Sequence, residues 1–274
     1  MNGSTPILFD RTLLAARLQR AALLGPAGFL LDRVADEIDE RLHAVLREFT
    51  DVADLWTPGG LNLPRFPNLQ HIAVASSGDE TLPFAPGSLD LVVSALALQF
   101  ANDLPGVLAQ VRRALKPDGL LLAALTGGDT LTELRQAFAE AETEIEGGVS
   151  PRVAPAADLR DLGALLQRAG FALPVTDVDR VVVRYDHAFA LMQDLRRMGA
   201  TNLLIERRKT PLRRATLSRM AQIYADRFSD PDGRIRATFE IVWLSGWSPH
   251  ESQQQPLKPG SAKASLEEAI KGKR

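Results

Sequence analysis

Leu82 to Leu125 reads LPFAPGSLDLVVSALALQFANDLPGVLAQVRRALKPDGLLLAAL. Its pattern is strand, turn, helix, turn, strand. Leu89, Leu91, Val92 and Val93 form an apolar run with a β-branched centre, which suits a strand buried on both faces. Asn102 or Asp103 caps a helix with Pro105 in its first turn. Leu104, Val107, Leu108, Val111 and Leu115 recur at helical spacing, so one helix face is apolar. Lys116-Pro117-Asp118-Gly119 is a turn that stops the helix, and Leu120 to Leu125 is a second buried strand. Two buried strands joined by a helix form a right-handed crossover unit of a parallel sheet.

Composition agrees with a globular α/β chain. The 274 residues suffice for one large domain, with 45% hydrophobic and 24% charged residues. A formal net charge of −2 gives no sign of a nucleic-acid binder. The absence of cysteine excludes disulfides, cysteine-ligated zinc and thiol catalysis, and fits a reducing compartment. No apolar run is long enough to span a membrane, and the N-terminus lacks the pattern of a secretory signal.

Working outward, helices are expected from Thr12 to Ala22 and from Phe29 to Phe49. A first strand follows at Asp51 to Trp56, then a loop, Thr57-Pro58-Gly59-Gly60, that read alone is a surface turn. Leu69 to Ala75 is the next strand. Beyond Leu125, helices are expected after Thr130, from Asp158 to Ala169, from Asp186 to Met198 and up to Phe228. Strands are expected at Val175 to Tyr185 and Ala237 to Leu244. Glu140, Glu142, Glu144 and Glu146 read as solvated helix positions, and the basic cluster Arg207 to Arg219 as a solvated surface. The expected organisation is 1–50 as N-terminal helices, 51–251 as the α/β domain with a helical insertion at about 186–230, and 252–274 as a flexible basic tail.

His43, His71, His187 and His250 show no metal-ligand spacing, so no metal site is read from local sequence. His250 stands out beside Trp247 and Glu251 after the last strand. A His–Glu pair there could transfer a proton, although a loop held by hydrogen bonds is the plainer reading. No nucleophile elbow or phosphate-binding lysine loop is present.

LPF (82–84), SLDLVVSALALQ (88–99), NDLP (102–105) and LKPDG (115–119) resemble the class I S-adenosylmethionine-dependent methyltransferases. FDR (9–11), GGDTLTELR (127–135), EGGVSP (146–151), DLGALLQRAGF (161–171), MGATN (198–202) and GWSPHESQ (246–253) are similar to the alphaproteobacterial and mitochondrial family that contains the complex I assembly arginine hydroxylase. Biotin-pathway methyltransferases are more distant relatives. The resemblance implies a Rossmann-like, mostly parallel sheet with helices on both faces. It implies S-adenosylmethionine as cofactor, held by Asp54 and Gly60 after the first strand, by Asp79 and Glu80 near the adenine, and by Ser94, Ala95 and Leu96 after the fourth. Gln99, Trp247 and His250 would face the substrate. A respiratory complex I subunit would be the protein partner, in the bacterial cytoplasm.

The chain departs from the family pattern in three places. Trp56 and Pro58 occupy two of the three positions of the glycine loop. Asp54 to Asp79 is about half of the roughly 45 to 50 residues that two helices, two strands and their loops require, so the sheet is expected to be truncated between strands one and three. No acidic residue ends a second strand, where ribose hydroxyls would be held. Three functions stay open: a methyltransferase-like protein acting on or binding a protein partner with a degenerate cofactor loop, a non-catalytic assembly factor, and a small-molecule methyltransferase.

Overall fold

The computed structural model describes residues 7–254. Most of the expected tail, 252–274, therefore lies outside the described residues. The sheet has six strands: β1 (Val52–Leu55), β2 (Gln70–Ile72), β3 (Leu89–Ala95), β4 (Leu115–Thr126), β5 (Ala172–Tyr185) and β6 (Ile235–Trp247). Their order is β2-β1-β3-β4-β6-β5. The pairs β1–β2, β1–β3 and β3–β4 are parallel, and β6 runs antiparallel to both β4 and β5. The expected α/β, mostly parallel sheet is the observed one.

Helices cover both faces: α1 (Arg11–Leu24), α2 (Phe29–His43), α3 (Leu104–Ala114), α4 (Thr132–Glu146), α5 (Leu159–Arg168), α6 (Ala188–Arg197) and α7 (Arg214–Phe228). Strand alternation decides which helices each residue meets. Leu91, Val93, Leu122 and Ala124 point to the face covered by α2, α4, α6 and α7. Val92, Leu121, Ala123 and Leu125 point to the face covered by α3 and α5. All seven residues of β3 are buried, including the polar Asp90 and Ser94, which are hydrogen-bonded within the sheet edges.

Local chemistry sets the helix starts. Asp10 caps α1 by accepting from the Leu13 amide at 2.9 Å, and Asp103 caps α3 by accepting from the Gly106 amide at 2.9 Å. Several boundaries differ from the sequence reading: β2 is shorter than expected, and β5 and β6 are longer. Helix α2 stops at His43, before Phe49. The Lys116–Gly119 turn is drawn into β4 as an irregular start, with Asp118 in the left-handed region.

Between β1 and β3 the chain forms one short strand and no helix. Pro58, Pro64 and Pro67 fall in this segment, and each removes an amide donor that a helix would need. The β1–β2 crossover is therefore made by loop alone.

Candidate functional site

Strands β1, β3 and β4 run parallel, so their carboxyl ends share one edge of the sheet. The chain leaves β1 toward β2 on one side, while β3 lies on the other. A ligand crevice forms at such a reversal. Asp54, fully buried at the end of β1, has its carboxylate filled from within. The Thr57 hydroxyl donates to one oxygen. The Leu61 amide and His71 Nδ1–H each donate to the other at 2.8 Å. Thr57 Oγ1 in turn accepts from the Ala95 amide at 3.0 Å, and Ser94 Oγ donates to the Leu55 carbonyl at 2.8 Å. Gly60 has a φ of +81°, and a Cβ there would lie 3.4 Å from the His71 ring. The left-handed backbone favours glycine at that turn, and the ring packs against it at van der Waals distance.

Trp56 is buried and adopts a φ of 63°, with its amide donating to the Ile72 carbonyl. The Arg11 guanidinium covers its ring, 4.0 Å from the centroid. Arg11 also pairs with Glu80 at 3.2 Å and donates to the Phe100 carbonyl at 3.2 Å. Burial lowers the Arg11 pKa, and Glu80 works against that shift. The Glu80 carboxylate accepts from the Asn102 and Asp103 amides at 2.8 and 2.9 Å. Asp79 caps its own turn at Thr81, and these bonds hold its carboxyl below the usual range. Helix α1, the β1 loop and the start of α3 are thus clamped together by side chains.

Beside this clamp lies a cavity of about 520 Å³ at the same sheet edge. Pro58, Gly59, Leu96, Gln99, Thr126 and Gly127 are among the residues that line it from the strand ends, and α1, α2, α4 and α6 close it. Leu96 has a φ of 53°, and its amide donates to the Ala124 carbonyl. Gln99 Nε2 donates to the Leu96 carbonyl at 2.7 Å, while its buried Oε1 has no partner. GGDT, VSP and MGATN, parts of three irregular blocks in the sequence, bring Thr130, Arg152 and Asn202 to this wall.

Trp247 and His250 sit elsewhere. Because β6 is antiparallel, its end pairs Trp247 with Leu120, at the start of β4. Gln99 and Trp247 therefore mark opposite edges of the sheet. His250 is exposed, and its hydrogen bonds stay within its own turn, with Ser252 and Gln253. The segment is locked by the Ser248 amide donating to the Gly119 carbonyl and by Gln253 donating to Asp118.

Glu142 corrects the reading of α4 as carrying solvated acids. It is fully buried and accepts from the Ser150 amide and hydroxyl and from Arg152. Burial pushes its carboxyl up, but these donors outweigh it and hold the pKa below the ordinary value. Glu142 thereby fixes the loop that carries Arg152, Val153 and Ala154 along the cavity. The basic cluster is likewise engaged within the chain: Arg219 with Glu144, Arg208 and Arg213 with Glu146, and Arg207 with Asp10. A buried acid on a helix facing a loop arginine has no local sequence signature.

A family model described as a methyltransferase domain matches residues 63–123. The chain is 45% identical over 190 residues to the mitochondrial arginine-hydroxylase NDUFAF5 of Homo sapiens, covering 69% of this chain and 55% of that one. It is 46% identical over 193 residues to the Mus musculus protein of the same name, covering 70% and 56%. The chain thus spans little more than half the length of these relatives. A solved protein of Bacillus subtilis, YcgJ, gives a TM-score of 0.48 at 14% identity, covering 80% of this chain and 99% of that one. The malonyl-[acyl-carrier protein] O-methyltransferase of Laribacter hongkongensis is 36% identical over 282 aligned positions, covering 92% of this chain and 91% of that one. That match covers more than nine-tenths of both chains, and so the chain belongs to the class I S-adenosylmethionine-dependent methyltransferase family.

Proposed function

We propose that this chain is a non-catalytic, binding member of its family, whose working site is the apolar cavity and whose β1 loop does not take up S-adenosylmethionine. The observation that carries this reading is the self-occupied loop. The Asp54 carboxylate is filled by Thr57, Leu61 and His71, and the buried Trp56 ring stands at the first glycine position under Arg11. A cofactor at this loop would need backbone to approach it closely, which glycine permits and a buried indole does not. Strand β2 ends at Ile72, followed by Ala73 and Val74, so no carboxylate waits for ribose hydroxyls. Glu80 is committed to Arg11 and two amides. Of the cofactor residues implied by resemblance, Asp54 and Glu80 are spent on the fold, and Ser94 and Ala95 are buried in it. Isothermal titration with S-adenosylmethionine tests the reading: no heat of binding is expected, and micromolar affinity would overturn it.

The identity with the arginine-hydroxylases favours a second reading, action on an arginine of a protein partner, by resemblance a respiratory complex I subunit. Gln99 Oε1, unpaired at the cavity wall, supports it by offering an acceptor to a guanidinium. Capture of such a subunit with an arginine heavier by one oxygen, lost on deleting this chain from cells, would establish it.

A further inference from the structure

The α1–α6 seam adjoins the cavity and carries a different chemistry. Helix α1 places Leu13, Arg17 and Arg20 along one stripe at spacings of four and three residues, and α6 places Phe189, Met192 and Arg196 at three and four. These stripes line a groove of about 460 Å³. Groove and cavity share Met192 and Thr201 as lining residues. The cavity side of the seam is apolar, from Leu18, Ala21 and Leu195. The groove side is cationic. Arg20 and Arg196 have no acidic partner among the described residues, and Arg17 donates to the Thr201 carbonyl at 2.7 Å while keeping its charge. Burial lowers the Arg17 pKa, and Arg207 and Arg20 push it the same way, which marks the positive field at this spot. Asp10 opposes that field but is paired with Arg207. Asp32 is the sole carboxylate lining either depression among the described residues, and it belongs to the cavity.

We propose that groove and cavity together form one binding site for a single-chain amphipathic anion: an alkyl or acyl chain in the cavity and a phosphate or carboxylate head on Arg17, Arg20 and Arg196. The apolar walls exclude a ligand that is charged throughout. The unpaired arginines favour an anionic head, because guanidinium groups bind oxyanions through charge-assisted hydrogen bonds. Met192, unbranched and flexible, stands at the junction and can move aside for the chain. The proposal shares with the proposed function its reading of the cavity as a binding site, and the cofactor titration tests the β1 loop separately.

Isothermal titration of the full chain with monododecyl phosphate and with dodecanoate, both below their micellar concentrations, tests it against dodecanol, inorganic phosphate and phosphatidylglycerol vesicles. Saturable one-to-one binding of either dodecyl anion is expected, with dodecanol and inorganic phosphate each at least about tenfold weaker. The double variant Arg20→Gln, Arg196→Gln alters exposed side chains only, so its thermal midpoint should hold. It should weaken the dodecyl anion by about tenfold or more and leave dodecanol unchanged. Leu134→Trp, which fills the cavity, should weaken both dodecyl ligands. Equal affinity for inorganic phosphate, indifference to the arginine pair, or binding to vesicles alone would overturn the proposal. Uptake of S-adenosylmethionine with undiminished dodecyl-anion binding would sink the non-catalytic reading and leave this site standing.

Discussion

The Arg11 guanidinium lies 4.0 Å above the Trp56 ring, joining the first helix to the loop that ends the first strand. Cation–π attraction gains strength where both partners leave water, and here both are buried. The stack makes the loop after β1 a piece of the core.

Arg11→Met should destabilise the fold by roughly 3 kcal/mol, since it removes a buried guanidinium from the Trp56 ring and from the partly buried Glu80. Urea denaturation checks this. Trp56 fluorescence should also shift to the red in the variant, as α1 loosens and water reaches the indole.

His71→Ala should cost about 1–3 kcal/mol, because the fully buried Asp54 carboxylate then loses one of its donors. His71→Asn, able to restore an N–H donor, should recover part of the loss. Equal stability of all three proteins in chemical denaturation would exclude Asp54 as the lock of the loop.

At the opposite edge, burial pushes the Asp90 carboxyl up, but the Asp51 and Thr50 amides, the Thr50 hydroxyl and Lys116 outweigh it, and its pKa falls from 3.8 to about 2. A carboxyl with a lowered folded pKa stabilises above its unfolded pKa and loses that contribution as pH falls. The native protein should therefore lose roughly 2 kcal/mol between about pH 5 and pH 2 through this group. Asp90→Asn should flatten that part of the stability profile, measured by denaturant midpoints across the pH range.

Gly199 has a φ of +71°, and a Cβ there would lie 2.8 Å from Leu18 Cδ2. Gly199→Ala should cost about 1–2 kcal/mol from the left-handed backbone, with a further small cost for displacing the Leu18 side chain at the α1–α6 contact. A lowered thermal midpoint is expected. An unchanged one would mean that the two helices separate freely.

Much of this architecture was legible in the chain itself. Leu91 to Val93 and Leu120 to Leu125 read as buried strands, since these runs are continuously apolar. The α3 stripe and its Asp103 cap required a helix between them. The bulky and rigid residues of the β1 loop were visible in Trp56 and Pro58, and the prolines after them disfavour a helix before β2. These features depend on neighbours a few residues apart, where spacing and backbone chemistry suffice.

Other features were decided only by how the strands are ordered and directed. One antiparallel strand carries Trp247 and His250 to the edge away from Gln99, although sequence alone grouped them. The His71 ring reaches Asp54 only because β2 lies beside β1. Glu142 is buried, and Arg11 is stacked, by elements distant in sequence. The sequence by itself determined the strands and helices of a methyltransferase sheet and the helix-free segment after β1. Tertiary structure alone decided that the loop is filled by its own side chains and that the open space is an apolar cavity beside an arginine-lined seam, because burial and pairing are properties of the packed whole.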